Sequence, residues 1–110
     1  MSDFTRVGAQ EVKHKSGYSV FSSGRFFLGY KDTNSTYKAY CEHVIINDGK
    51  DDGLCIYTST LYDENENEIA ISDERIKIIM NRIALGANVL IKFKIILTDG
   101  LGNNVLLPKE

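Results

Sequence analysis

The clearest pattern of hydrophobic and polar positions lies between residues 71 and 97. Apolar side chains first recur there at the spacing of one helical face, at Ile76, Ile79, Met80 and Ile83. Ser72 is a suitable N-cap because its hydroxyl can accept a hydrogen bond from an amide of the first turn, and the two acidic residues that follow complement the helix dipole. The segment therefore predicts an amphipathic helix over about residues 73–85.

The pattern changes to alternation after Gly86, a residue type that often ends helices in the left-handed conformation. From Asn88 onward every second residue is apolar, in the set Val89, Ile91, Phe93, Ile95 and Leu97. We therefore expect a long strand directly after the helix, with the helix packed back against it.

The rest of the chain carries shorter β-type segments that are separated by turn residues. They cover residues 11–15, 18–22, 25–31, 36–46 and 54–58, with a last edge strand at 105–107. On the longest segment, the more apolar face is expected to point into the core: Tyr37, Ala39, Cys41, His43 and Ile45. Together these elements predict an α+β fold, a mainly antiparallel sheet of about six strands with the helix packed on one face.

A chain of 110 residues is long enough for one domain with its own core, and residues 1–9 are expected to form a flexible N-terminal arm. No apolar run is long enough to span a bilayer, so no membrane partner is expected. The N-terminus also lacks the apolar core of a signal peptide, which predicts a cytoplasmic protein with reduced thiols at Cys41 and Cys55.

The net charge of −2 conceals a strong asymmetry along the chain. Ten acidic residues and one lysine lie between Glu42 and Glu74, so this span carries −9 and the remainder carries +7. Most of these acids fall in two loops on either side of one predicted strand, and we expect the loops to converge at one end of the sheet. With two nearby tyrosines they form the expected partner-binding set: Asp48, Asp51, Asp52, Tyr57, Tyr62, Asp63, Glu64, Glu66 and Glu68. The alternative is that acidic loops only keep the protein soluble.

One acidic loop has part of the calcium-binding EF-hand spacing. Its candidate ligands are Asp63, Asn65, Asn67 and Glu74. Glu68, however, occupies the position where the sharp turn of that loop needs glycine. No zinc, phosphate or dinucleotide motif occurs either, so we expect no metal and no cofactor.

Catalysis and nucleic-acid binding are the other two classes that the sequence allows. Cys41 and His43 share a predicted strand face, but alternating residues of an apolar set are more often core than a catalytic pair, so no enzymatic activity is expected. Basic and aromatic residues also alternate in the N-terminal half, at Lys13, Lys15, Arg25, Lys31 and Lys38 with Tyr18, Phe26, Phe27 and Tyr30. Because solvated sheet faces show the same pattern and the whole chain is acidic, nucleic acid is not the expected partner.

The predicted helix has a second apolar patch. On a helical wheel Ile78 and Leu85 lie opposite the core stripe, and Arg82 is among the basic residues beside them. This patch is a candidate second interface, for a second copy of the chain, for the partner or for the N-terminal arm.

The segment ISDERIKIIMNRIALGANVLIKF, preceded by LCIYTSTLYDENENEIA, resembles the C-terminal half of small bacterial immunity proteins. These proteins inhibit the cognate toxins of polymorphic or contact-dependent growth-inhibition systems. The resemblance lies in the helix–strand pattern and implies a cytoplasmic, single-domain protein that neutralises one toxin domain, often a nuclease. On charge grounds we expect the acidic residues to contact a basic toxin surface. The alternative function is a small structural or regulatory subunit that acts through homo- or hetero-oligomerisation.

Overall fold

The computed structural model describes residues 3–99, which form a seven-stranded sheet with one long helix packed on it. The elements are β1 (Phe4–Gly8), β2 (Glu11–His14), β3 (Ser19–Ser22), β4 (Phe27–Lys31), β5 (Thr36–Ile46), β6 (Asp51–Tyr57), α1 (Asp73–Leu90) and β7 (Lys94–Thr98). This architecture confirms the predicted α+β class, with a strand count close to the one expected. The edge strand predicted at 105–107 lies outside the described residues.

The order of the strands in the sheet follows their order in the chain. Successive strands from β1 to β6 are antiparallel, because a turn reverses the chain after each of them. The connection from β6 to β7 runs through α1, so this last pair is parallel, with Leu54 opposite Ile95. α1 contacts β3 most extensively and also packs on β2, β4 and β7. We call the face toward α1 the inner face and the opposite one the outer face.

The core fills the space between α1 and the inner face of the sheet. Its sheet residues include Val12, Val20, Leu28, Tyr30, Ala39, Cys41, Leu54 and Ile56, and its helix residues are Ile79, Met80, Ile83 and Ala87. The predicted inward face of β5 is therefore correct at Ala39 and Cys41. It is wrong at His43 and Ile45, which are exposed because the far end of β5 extends beyond the helix.

The helix begins where the sequence predicts and ends later. Ser72 Oγ accepts a hydrogen bond from the Arg75 amide at 3.2 Å. Gly86 is not the stop, because the helix continues to Leu90 and Gly86 is buried against β3. A Cβ atom at this position would collide with the side chain of Val20. Glycine is therefore needed here for close packing of helix on sheet, and the expected strand over residues 88–97 shortens to β7.

Residues 4–8 do not form a free arm. β1 is an edge strand, and Phe4 pairs with His14 of β2. The Phe4 ring also packs edge-on against the rings of His14, at 4.9 Å, and Tyr18, at 5.9 Å. The predicted flexible arm is therefore wrong for the part of it that the structure describes. No helix within residues 3–99 is long and apolar enough to cross a membrane.

Candidate protein-binding surface

The two acidic loops lie at opposite ends of β5. The first is the turn between β5 and β6, where Ile46 pairs with Asp51. The second follows β6 and folds back along the start of β5, where the backbone of Tyr62 pairs with that of Lys38. Lys38 and Ile46 are separated along one strand by about 26 Å. The prediction that the loops converge is therefore wrong. The first loop precedes β6 and the second follows it, so they lie at opposite ends of that strand.

The carboxylates of the β5–β6 turn are largely engaged within the chain. Asp51 Oδ2 accepts hydrogen bonds from Asn47 Nδ2 at 2.5 Å and Lys94 Nζ at 3.0 Å, and these two partners lower the pKa of Asp51. The Asp52 carboxylate lies 2.8 Å from His43 Nε2. Asp48 is exposed, with a left-handed backbone at φ 56°. Asp51 and Asp52, the first two residues of β6, therefore join neighbouring strands, and Asp48 of the turn does not.

The second loop is a small hairpin over residues 61–69, which we call the acidic hairpin. Its base is closed by a hydrogen bond from the Ile69 amide to the Leu61 carbonyl at 3.1 Å, and Leu61 is fully buried. Asp63 Oδ1 accepts hydrogen bonds from the amides of Asn65 and Asn67 at 2.8 and 3.0 Å, which stabilises the turn. The carboxylate of Asp63, a candidate calcium ligand, is therefore hydrogen-bonded to backbone amides of its own turn. Within residues 3–99, no three His, Cys, Asp or Glu side chains are grouped to hold a metal ion.

Three glutamates of the acidic hairpin point into solvent. Glu64, Glu66 and Glu68 are all exposed. Glu66 Oε2 lies 3.5 Å from Lys38 Nζ, whereas the side chains of Glu64 and Glu68 have no hydrogen bond or ion pair with any residue from 3 to 99. The hairpin therefore presents negative charge that the described part of the chain does not compensate.

Five aromatic side chains form a continuous group on the outer face beside the acidic hairpin. This aromatic cluster consists of Phe26, Phe27, Tyr40, Tyr57 and Tyr62. The Tyr40 ring is central, with centroids 5.3 Å from Tyr57, 5.8 Å from Phe27 and 6.2 Å from Phe26. The Tyr62 ring joins the group through Phe27, at 5.6 Å. Phe26 is 45% exposed and the other four rings are half-buried, so the cluster is accessible from solvent.

Strand register assembles this cluster. Tyr40 pairs with Phe27 on β4, and the neighbouring pair of Cys41 with Ile56 sets Tyr40 beside Tyr57 on β6. The structure thus brings together Tyr57 and Tyr62, two predicted site residues, and adds Tyr40, which the sequence analysis missed. The alternation of Tyr40 with Lys38 along β5 could have indicated that Tyr40 lies on the outer face. Its contacts with Phe27 and Tyr57, however, depend on how β5 pairs with β4 and β6.

Charged groups surround the rings of the aromatic cluster. Tyr57 Oη donates a hydrogen bond to Glu42 Oε1 at 2.5 Å, and this bond, followed by burial, raises the pKa of Tyr57 to about 12. The Arg25 guanidinium lies 5.4 Å from the centroid of the Phe26 ring, and Lys38 Nζ lies 5.7 Å from that of Phe27. The cluster therefore already has cations against two of its ring faces.

The basic and aromatic residues of the N-terminal half are divided between the two faces. Tyr18 and Tyr30 are buried in the core, so only part of the series reaches the outer face. Tyr30 Oη donates to Asp32 Oδ2 at 2.7 Å and accepts from Arg82 Nη1 at 2.8 Å. The Arg75 guanidinium lies 3.3 Å from the same Asp32 oxygen. These contacts of Arg75 and Arg82 connect α1 to the end of β4.

The residues of the candidate second interface lie on α1, and the exposed apolar set there differs from the predicted one. Ile78 and Leu85 are 42% and 40% exposed, and Val89 is 40% exposed one turn further on. We call these three residues the apolar stripe. Arg82 does not belong to it, because its guanidinium turns toward the sheet and lies 4.9 Å from the Tyr18 ring centroid. Val89 was missed because the sequence analysis assigned it to a strand.

Cys41 and His43 occupy different environments although they share a strand face. Cys41 is buried, and burial followed by the nearby Cys55 raises its pKa to about 11, which disfavours the nucleophilic thiolate. His43 is exposed, where it contacts Asp52 and stacks on Phe93 at 4.8 Å.

Comparison of the chain with protein families, curated proteins and solved structures finds no match.

Proposed function

We propose that this protein is an immunity-type inhibitor that binds and neutralises a bacterial toxin domain, of the nuclease class, and has no catalytic activity of its own. One observation carries the proposal: the uncompensated carboxylates of the acidic hairpin directly adjoin the aromatic cluster through Tyr62. Such a surface suits a basic protein partner, because negative charge speeds encounter and aromatic rings supply contact area.

The acidic hairpin is the better binding candidate of the two acidic loops. Asp51 and Asp52, which follow the β5–β6 turn at the start of β6, already have Lys94 and His43 as partners. Glu64 and Glu68 of the hairpin are exposed and have no such partners among residues 3–99. A nuclease that binds nucleic acid carries a basic surface, and covering that surface would block its substrate. The proposal therefore assigns the first contact to the hairpin and the tighter contact to the aromatic cluster.

The proposal is tested by growth of bacteria that express the protein encoded directly upstream of this chain. We expect that protein to stop growth and co-expression of this chain to restore it. The double variant Glu64→Lys, Glu68→Lys should protect less well. The control Asp48→Lys, Asp52→Lys makes the same charge change at the far end of β5 and should protect as wild type does. An upstream product that does not affect growth contradicts the proposal.

The apolar stripe favours a second candidate function, that of a subunit that acts by self-association. Ile78, Leu85 and Val89 expose apolar surface along one line of α1, although α1 buries its other face in the core. A helix with such a line commonly packs on another helix. Under this alternative the chain forms a stable homo-oligomer, and growth of the toxin-expressing cells is not restored.

A further inference from the structure

Glu42 is a half-buried carboxylate at the edge of the aromatic cluster. It lies on the outer face of β5, two residues after Tyr40, and it accepts the hydroxyl proton of Tyr57 with Oε1. No lysine, arginine or histidine of residues 3–99 forms an ion pair with it. Its second oxygen, Oε2, accepts no hydrogen bond from the same residues. A negative charge is therefore held in a partly apolar setting without a counterion in the described chain.

The neighbouring cations are used elsewhere. Lys38 lies over the Phe27 ring and beside Glu66, and Arg25 lies over the Phe26 ring. The rings of Tyr40 and Tyr57 have no cation over them from any residue that the structure describes. Two rings of the cluster are thus already paired with positive charge, and the two rings nearest Glu42 are not.

The negative charge of Glu42 affects the groups around it. After burial, it is the next cause that raises the pKa of both Tyr40 and Cys55, and it raises the pKa of Tyr57 through their hydrogen bond. These directions all mean that further negative charge is opposed here. By the same electrostatics, a positive group at this position is favoured.

We propose that Glu42, Tyr40 and Tyr57 form a binding site for an arginine side chain of the protein partner. The guanidinium donates to Glu42 Oε2 and lies against the Tyr40 and Tyr57 rings. Arginine fits better than lysine, because its planar guanidinium can stack on a ring while it donates in-plane hydrogen bonds to a carboxylate. Tyrosine and arginine are also residues that dominate the binding energy of protein interfaces. The inference rests on the proposed function for the identity of the partner and not for the existence of the site.

The site is tested with a small probe and the full chain. Ethylguanidinium chloride stands in for the arginine side chain, and N-ethylurea, which has similar shape and no charge, is the neutral control. In a titration followed by NMR, ethylguanidinium should shift the backbone amides of residues 40–42 and 55–57 in a saturable manner. N-ethylurea should not. Glu42→Gln should weaken ethylguanidinium binding about fivefold, the effect of losing one partly exposed ion pair.

Glu74→Gln is the matched control, since it also removes one glutamate carboxylate. Glu74 is exposed in the first turn of α1, which packs on the inner face of the sheet, opposite the Tyr40 and Tyr57 rings. Glu74→Gln should bind ethylguanidinium as wild type does, and the amide spectrum of each variant reports whether it is folded. Absent or scattered shifts, equal shifts with N-ethylurea, or unchanged binding by a folded Glu42→Gln variant would each overturn the site. The titration uses no toxin. Failure to protect cells therefore contradicts the proposed function alone, and a negative titration with full protection contradicts only the arginine site.

Discussion

The hydroxyl of Tyr57 on β6 donates a 2.5 Å hydrogen bond across the strand pair to Glu42 on β5. This bond fixes the edge of the aromatic cluster and holds a carboxylate among rings on the outer face. It also links the fold to the proposed function, because the same two residues take part in the arginine site.

Tyr57 should titrate at unusually high pH. The bond to Glu42 raises its pKa from 10.0 to about 12, because the carboxylate stabilises the neutral phenol and repels the phenolate. Since the folded-state pKa lies above the unfolded one, the stabilisation is complete below pH 10 and is lost as the pH rises toward 12. NMR of the tyrosine ring carbons measures this, and Glu42→Gln should return the Tyr57 pKa toward 10.0. A pKa that does not change in this variant would contradict the assignment.

Asp32 should stabilise the fold in a pH-dependent way. Burial alone would raise its pKa, but hydrogen bonds from Tyr30 and from two backbone amides, with the Arg75 charge, lower it. Asp32→Asn removes the charge and should cost about 2 kcal/mol in urea unfolding at pH 7, the usual size for hydrogen bonds to a charged group. Because the folded-state pKa is depressed, the cost should shrink as the pH falls below 3.8.

The control for Asp32 is Asp48→Asn, in an exposed turn with no side-chain partner among residues 3–99. That variant should change the free energy of unfolding by less than about 0.5 kcal/mol. Equal losses in the two variants, or a loss in Asp32→Asn that persists unchanged at low pH, would contradict the role given to the Tyr30, Asp32 and Arg75 contacts.

Gly86→Ala should destabilise the protein although alanine is the better helix former. The added Cβ would collide with Val20, and overpacking of this kind costs about 1–3 kcal/mol. Val20→Ala removes the two methyl groups from this contact but keeps the Val20 Cβ, which also collides, so the double variant should lose less stability than the sum of the two single variants. Thermal unfolding of both single variants and the double variant measures the coupling. If Gly86→Ala is more stable than wild type, helix propensity governs the site and the close contact is contradicted.

The helix illustrates which features a sequence predicts and which it does not. Its start depends on local signals, a capping serine followed by acidic residues, and these identified Ser72 and Asp73 correctly. Its end depends on packing, because Gly86 is required by the approach of β3 and does not stop the helix. β1 was missed for a related reason. β1 is only five residues long, too short to show a clear alternation of apolar and polar positions. Its strand conformation comes from pairing with β2.

The candidate site shows the same division. The sequence identified the acidic residues and Tyr57 and Tyr62 by composition, and the structure brings the two tyrosines into one cluster. The sequence alone could not identify Tyr40 or Glu42 as neighbours of these tyrosines, because the register between strands decides which side chains are adjacent. The sequence-based prediction that the two acidic loops converge was wrong, because β6 separates them. Residue types that favour an exposed surface can thus be recognised along the sequence, whereas the distances between them depend on how the strands pair.

The apolar stripe should mediate any self-association of the chain. Ile78→Asp with Leu85→Asp replaces two exposed apolar side chains by charge, so the fold should remain intact and any oligomer should dissociate. Sedimentation velocity over a range of concentrations measures this. Glu64→Lys with Glu68→Lys is the control, because it changes charge away from α1 and should leave the association state unchanged. An oligomer that survives the stripe variant must use another surface.

The central claim is that the acidic hairpin directs this protein onto a basic toxin domain. Its most direct test is the association rate with the purified toxin domain, measured at low salt for wild type, Glu64→Lys with Glu68→Lys, and Asp48→Lys with Asp52→Lys. Reversing the hairpin charge should slow association about tenfold or more and weaken its salt dependence, because charge steering is lost. The far-turn variant should associate nearly as fast as wild type. An unchanged association rate for the hairpin variant at low salt would contradict the claim.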